Sequence, residues 1–159
     1  MADASHASTP QGLVAITMST PGGAREVVEH PLADFEQSEQ GVALDRRVIP
    51  WHRVHRVSWL FPPKEIVTDE PTGRVRVVID DGTTTGEELT VGSERFEATA
   101  WAITVLLDDR VDADAGTVTQ RRLVVPWHAV VEYERLVSTK RERTAADVRP
   151  DVLPGRPDA

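Results

Sequence analysis

Arginine and histidine side chains between residues 46 and 56 are the part of this sequence best suited to bind an anion. Four arginines lie within these eleven positions, which contain no acidic residue. Guanidinium groups bind phosphate through two parallel hydrogen bonds, and a protonated imidazole donates another. Trp51 in this stretch, or Trp59 just after it, can stack on a nucleobase. The candidate ligand-binding residues are therefore Arg46, Arg47, Trp51, His52, Arg53 and Arg56.

The string that carries these residues occurs twice. Residues 46–54 return as residues 122–130, and both copies have Pro-Trp-His inside an apolar run. The second copy has no arginine or histidine at the positions that correspond to Arg53, His55 and Arg56. We therefore expect only the first copy to bind an anion.

The repeated string also has a purely structural interpretation. A proline ends a strand ladder, a tryptophan packs under the turn, and its indole N–H requires a hydrogen-bond partner. The neighbouring histidine can fasten the turn to the backbone. This interpretation predicts a structural or protein-interaction domain with no nucleic-acid ligand.

Alternating and apolar runs predict a mostly β fold with little helix. Strands are expected at residues 13–18, 24–30, 48–61, 74–79, 96–107, 117–125 and 130–136. Pro31 and Gly41 mark the ends of a helix or loop candidate. Short strands of this kind bury their edges in a small barrel or a two-layer sandwich.

The string and its surroundings predict one domain of two pseudo-repeated halves. We place the domain at residues 11–137, with halves at about 11–61 and 96–137 and a hairpin at 73–91 between them. The sequence similarity between Val14–Thr17 and Trp101–Thr104 supports this division. Residues 1–10 and 138–159 are polar or proline-rich and are predicted to be flexible tails.

Composition narrows the classes of function. The 159 residues carry 26 acidic and 18 basic side chains, for a net charge of −8. This charge argues against a protein that coats nucleic acid non-specifically. No cysteine is present, which excludes disulfides and thiolate zinc sites. No secretion signal or membrane span is recognisable, so we expect a cytoplasmic protein without a membrane partner.

Neither a cofactor nor a catalytic group is expected. The sequence has no phosphate-binding glycine loop, serine elbow or nucleotide fingerprint. A metal site built from His52, His55 and His128 is disfavoured because Arg53 and Arg56 repel a cation. No nucleophile–base pair is apparent, and we expect a binding protein rather than an enzyme.

Residues 27–59 resemble a small domain that is associated with RNA repair and is predicted to recognise cyclic-phosphate ends of RNA. The matching residues are Glu29, Pro31, Leu32, Phe35, Ile49, Pro50, Trp51, His52, Arg53, Val54, Val57 and Trp59. The resemblance implies that His52 and Arg53 recognise the RNA end. Together with the basic cluster, it favours a non-catalytic module that binds RNA ends or RNA phosphate. The structural or protein-interaction domain remains the alternative.

Overall fold

The computed structural model describes residues 12–68 and 73–137, and it confirms the mostly β prediction. The predicted tails, residues 1–10 and 138–159, lie outside this part of the chain. Thirteen strands are present in the described residues: β1 Leu13–Ser19, β2 Arg25–Pro31, β3 Phe35–Gln37, β4 Gly41–Leu44, β5 Arg47–Pro50, β6 Val54–Leu60, β7 Lys64–Glu65, β8 Gly73–Ile79, β9 Glu87–Gly92, β10 Phe96–Ala98, β11 Ala102–Asp112, β12 Thr117–Pro126 and β13 Val130–Val137.

Helical structure over the described residues consists of single 3-10 turns. They span Leu32–Asp34, Trp51–Arg53, Ser93–Arg95 and Trp127–Ala129. The helix or loop candidate at residues 31–40 holds one of these turns and strand β3, not an α-helix. Within the described residues, no helix is long and apolar enough to cross a membrane.

The strands pair into three antiparallel sheets. The largest has the order β10-β11-β12-β6-β1-β2, and β7 adds to β12. The two smaller sheets have the orders β13-β8-β9 and β3-β4-β5. Strands β6 and β12 pair from Leu60↔Arg121 to Val57↔Val124 and so join the first part of the chain to the second.

The two small sheets pack against opposite faces of the large sheet. Successive residues of β12 point to opposite faces of the large sheet and therefore pack in two different hydrophobic cores. Val124 packs with Ile16, Val42 and Val57, whereas Leu123 and Val125 belong to the core of β8, β9 and β11. Each of these buried aliphatic side chains contributes roughly 1.5–3 kcal/mol of transfer free energy.

The strand after each Trp-His turn pairs with the first strand of a hairpin. Strand β6 follows the turn at Trp51–Arg53 and pairs with β1, which forms a hairpin with β2. Strand β13 follows the turn at Trp127–Ala129 and pairs with β8, which forms a hairpin with β9. Strand β8 thus joins the β8–β9 hairpin to the strand that follows the second turn.

A close approach between two backbone segments requires glycine at position 41. Gly41 opens β4 with φ of 155°, and a Cβ at this position would clash with the carbonyl oxygen of Ile49. Only glycine fits here. The residue predicted to end a helix instead begins a strand that pairs with both β3 and β5.

Candidate ligand-binding site

The two tryptophans of the repeated string hold their turns to the preceding chain. The indole Nε1 of Trp51 donates to the carbonyl oxygen of Ser38 at 2.7 Å, and that of Trp127 donates to Thr99 at 2.8 Å. Trp51 is buried in the first core, where it cannot stack on a ligand. This is the arrangement that the structural interpretation predicts for both copies.

The two histidines of the string have different surroundings. Nε2 of His128 lies 2.8 Å from the carbonyl oxygens of both Trp51 and Val54. Because a carbonyl oxygen only accepts hydrogen bonds, this nitrogen carries the proton. His52 and His128 are both exposed, but the side chain of His52 makes no hydrogen bond to the described residues. The second turn is thus hydrogen-bonded to the first through His128, whereas His52 of the first turn makes no corresponding bond to the described residues.

A further histidine, His55, lies at the seam between these turns. Its Nε2 is 2.6 Å from Oγ of Ser19, and its ring centroid is 5.8 Å from that of His128. Burial lowers the pKa of His55, and the positive charges of Arg25 and His128 lower it further, whereas Asp80 opposes them. These effects favour the neutral form of His55.

The seam does not have the geometry of a hydrolytic centre. The Nδ1 atom of His55 is buried and has no hydrogen-bond partner among the described residues. A serine–histidine nucleophile requires a third group at this nitrogen to orient the ring. Asp80 instead pairs with Arg25, at 3.4 Å. We interpret Ser19 and His55 as parts of the packing between the two turns.

Two of the predicted arginines are engaged within the protein. Arg53 donates from Nε and Nη2 to the carbonyl oxygen of Ser19, at 3.1 and 2.8 Å. Arg56 pairs with Oε1 of Glu87 at 2.7 Å. Each guanidinium already has an acceptor, which reduces its capacity to bind phosphate. Arg46, Arg47 and His52 are the exposed members of the predicted set.

The structure shows a different concave surface, which we call the aromatic groove. It has a volume of about 450 Å³ and lies on the large sheet beside β3. Its floor is formed by β11 and β12. Its lining residues are Gln37, Trp59, Phe61, Glu97, Thr99, Trp101, Ala102, Thr104, Arg122 and Val124.

Strand register brings the aromatic and cationic groups of the groove together. Trp59 of β6 is directly opposite Arg122 of β12. The guanidinium carbon of Arg122 lies 5.5 Å from the ring centroid of Phe61. The ring centroids of Phe61 and Trp59 are 6.5 Å apart. Behind the groove, Phe35 supports Trp59, with 5.2 Å between their ring centroids.

The opposite side of the groove carries Trp101 and a carboxylate. Glu97 of β10 pairs in register with Thr104 of β11, and Trp101 lies in the connection between these strands. Hydrogen bonds from the backbone N–H and hydroxyl of Thr99 to the carbonyl of Ala102 hold that connection. Aromatic rings, a guanidinium and a carboxylate in one groove suit a planar, polar ligand.

Neither charged group of the groove is neutralised by its neighbours. No ion pair joins Arg122 or Glu97 to an oppositely charged group within residues 12–68 and 73–137. By contrast, Arg76 pairs with Glu88, Glu132 and Glu134 on another surface. The groove therefore retains two charges of opposite sign that a ligand can satisfy.

The groove was only partly visible in the sequence. Trp59 is the one groove residue that we singled out as a stacking candidate, and it also belongs to the segment that resembles the RNA-repair domain. Trp101, Glu97 and Arg122 are distant in the chain, and only strand pairing brings them to Trp59.

The chain matches no protein-family model, no curated protein and no solved structure. The resemblance over residues 27–59 accordingly stays a prediction. The interpretation of the groove rests on its geometry alone.

Proposed function

We propose that this protein is a non-catalytic module that binds single-stranded RNA and holds an unpaired base in the aromatic groove. The observation that carries the proposal is the placement of Trp59, Phe61 and Trp101 around Arg122. Single-stranded RNA is recognised largely by stacking of its bases on aromatic rings, supported by arginine. A groove of about 450 Å³ lies in the size range of small-ligand sites.

Arg122 supplies the group that binds phosphate. Its guanidinium is stacked on Phe61 and has no carboxylate partner within the described residues. The net charge of −8 repels a long polyanion, so the groove favours a short segment or an end of RNA. This preference agrees with what the resemblance implies for residues 27–59. The proposal differs from the resemblance in the residues that recognise the RNA, which are Trp59 and Arg122 and not His52 and Arg53.

We also infer that the two halves are copies of one structural unit, here residues 13–60 and 73–137. The shared strand pairing, the two proline-initiated turns and their indole hydrogen bonds support this inference. Seventy-six positions after Trp59, the second half has Arg135, which lies 5.4 Å from the ring centroid of Phe96. Because this position has no aromatic ring, the second half cannot form an equivalent groove.

The proposal is tested by titrating a labelled eight-nucleotide single-stranded RNA and measuring fluorescence anisotropy. Replacing both Trp59 and Trp101 by alanine should weaken binding by about tenfold or more. Arg122→Ala should weaken binding and reduce the slope of log K against log salt by about 0.7. Arg110→Ala removes an exposed cationic side chain outside the groove and should leave the affinity nearly unchanged.

Equal affinities for the wild type and the double tryptophan variant would contradict the proposal. The structural or protein-interaction alternative predicts that no RNA binds at all. Double-stranded RNA of the same length serves as a ligand control, because its bases cannot enter the groove.

A further inference from the structure

The two unpaired charges of the aromatic groove restrict the chemistry of its ligand. Glu97 and Arg122 line one groove, yet no ion pair joins them. A ligand that satisfies both must present hydrogen-bond donors to the carboxylate and negative charge to the guanidinium. Between these groups it must offer a planar surface to Trp59 and Trp101. A nucleotide has this arrangement of groups when its base carries adjacent donors.

We infer that the groove is selective for guanine among the four RNA bases, an inference that rests on the proposed function. Guanine carries N1–H and an N2 amino group side by side. The two oxygens of the Glu97 carboxylate only accept hydrogen bonds, and they match these donors as a bidentate pair. The side-chain amide of Gln37, on the β3 side of the groove, can donate to the adjacent O6 atom.

The other bases do not match the carboxylate in this way. Adenine and cytosine place a ring nitrogen lone pair beside their amino group, and this lone pair repels a carboxylate oxygen. Uracil offers one N–H flanked by two carbonyl oxygens. Each of these bases offers the Glu97 carboxylate at most one hydrogen bond, whereas guanine offers two, so guanine is bound more tightly.

The groove is open at Glu97, so a base can reach the carboxylate. Glu97 is exposed, while Trp59, Trp101 and Arg122 are each partly buried. The ribose and phosphate of a stacked guanine can therefore extend towards Arg122 across the floor formed by Thr104 and Val124. Phosphate binding by Arg122 is independent of the base, whereas selection among bases depends on Glu97.

The experiment compares four single-stranded RNAs that are identical except for one central residue in an otherwise uridine-only sequence. We expect the RNA with a central guanine to bind about tenfold more tightly than those with adenine, cytosine or uracil. Glu97→Gln keeps the size of the side chain but replaces one acceptor by a donor. It should reduce the guanine preference to less than about threefold. Glu94→Gln alters an exposed glutamate outside the groove and should retain the preference.

Substitution of the central guanine by inosine gives a second readout. Inosine lacks the N2 amino group, so its affinity should lie between those of guanine and adenine in the wild type. Glu97→Gln should abolish the difference between guanine and inosine. Equal binding of all four RNAs would overturn the guanine inference and leave the proposed function standing. Absence of binding to every RNA would overturn both.

Discussion

Nε2 of His128 lies 2.8 Å from the carbonyl oxygen of Trp51, so the second copy of the repeated string is hydrogen-bonded to the first. The same nitrogen is 2.8 Å from the carbonyl oxygen of Val54. The repeated string thus contributes hydrogen bonds between the two Trp-His turns. The groups proposed to bind ligand lie elsewhere, on the face of the large sheet.

The first prediction separates the two histidines of the repeated string. His128→Ala removes the donor to two carbonyl groups and should lower the free energy of unfolding by about 1–2 kcal/mol. His52→Ala changes an exposed side chain and should alter it by less than about 0.5 kcal/mol. Urea denaturation of both variants measures the difference. Similar losses for the two would show that the hydrogen bonds of His128 do not set its contribution apart from that of His52.

The second prediction separates a structural tryptophan from a ligand-binding one. Trp51→Phe leaves the carbonyl of Ser38 without its indole donor and should cost about 1–3 kcal/mol of stability. Trp59 makes no side-chain hydrogen bond to the described residues, and Trp59→Phe should cost less. RNA affinity should change little in either variant, because Phe at position 59 still offers a ring. Thermal denaturation and anisotropy measured on the same samples test both parts.

The third prediction concerns Arg53, which the resemblance assigns to RNA-end recognition. Its guanidinium instead donates twice to the carbonyl oxygen of Ser19. Arg53→Ala should therefore lower stability by about 1–2 kcal/mol and weaken RNA binding less than Arg122→Ala does. Arg110→Ala, which changes an exposed arginine, is the matched control. If Arg53→Ala kept full stability but lost RNA binding completely, the result would show that the first Trp-His turn recognises the RNA.

The fourth prediction is a pH dependence that originates at His55. The ordinary pKa of 6.5 applies to His55 in the unfolded chain, and burial together with Arg25 and His128 lowers the pKa in the folded protein. Between these two values the unfolded chain binds more protons, so the free energy of unfolding falls as the pH falls. Above pH 6.5 the contribution is complete, and below the lowered pKa it is lost.

Thermal denaturation between pH 7.5 and 5 measures this effect. His55→Gln should flatten the profile, because it removes the titrating ring while retaining a group that can bond to Ser19. Other groups titrate in the same range, so the decisive quantity is the difference between wild type and variant. An identical slope in both would contradict the assignment to His55.

Local patterns predicted most of the strands, and β8 is a clear case. Val75 and Val77 are buried and alternate with Arg74 and Arg76, and the predicted strand at 74–79 lies within β8. Strand β4 was missed because its hairpin to β5 lacks the usual Asn-Gly signal. Asp45 instead provides the positive φ, of 58°, that the turn requires.

The site was less predictable than the fold because it depends on strand order. Trp59 and Arg122 are opposite each other only because β6 pairs with β12, and no pattern in the sequence specifies that neighbour. The basic cluster was visible in the sequence, but the partners of Arg53 and Arg56, Ser19 and Glu87, come from distant strands. Composition alone does not show which charges are already satisfied.

The central claim, that RNA binds in the aromatic groove, is tested most directly by the indole N–H signals in a nitrogen-15 NMR spectrum. The chain has four tryptophans, Trp51, Trp59, Trp101 and Trp127, and single Trp→Phe variants assign their signals. On titration with guanine-containing single-stranded RNA, we predict that the signals of Trp59 and Trp101 shift together and saturate. Those of Trp51 and Trp127, whose rings do not line the groove, should shift less. Shifts confined to Trp51 and Trp127, or no shift at any indole, would contradict the account.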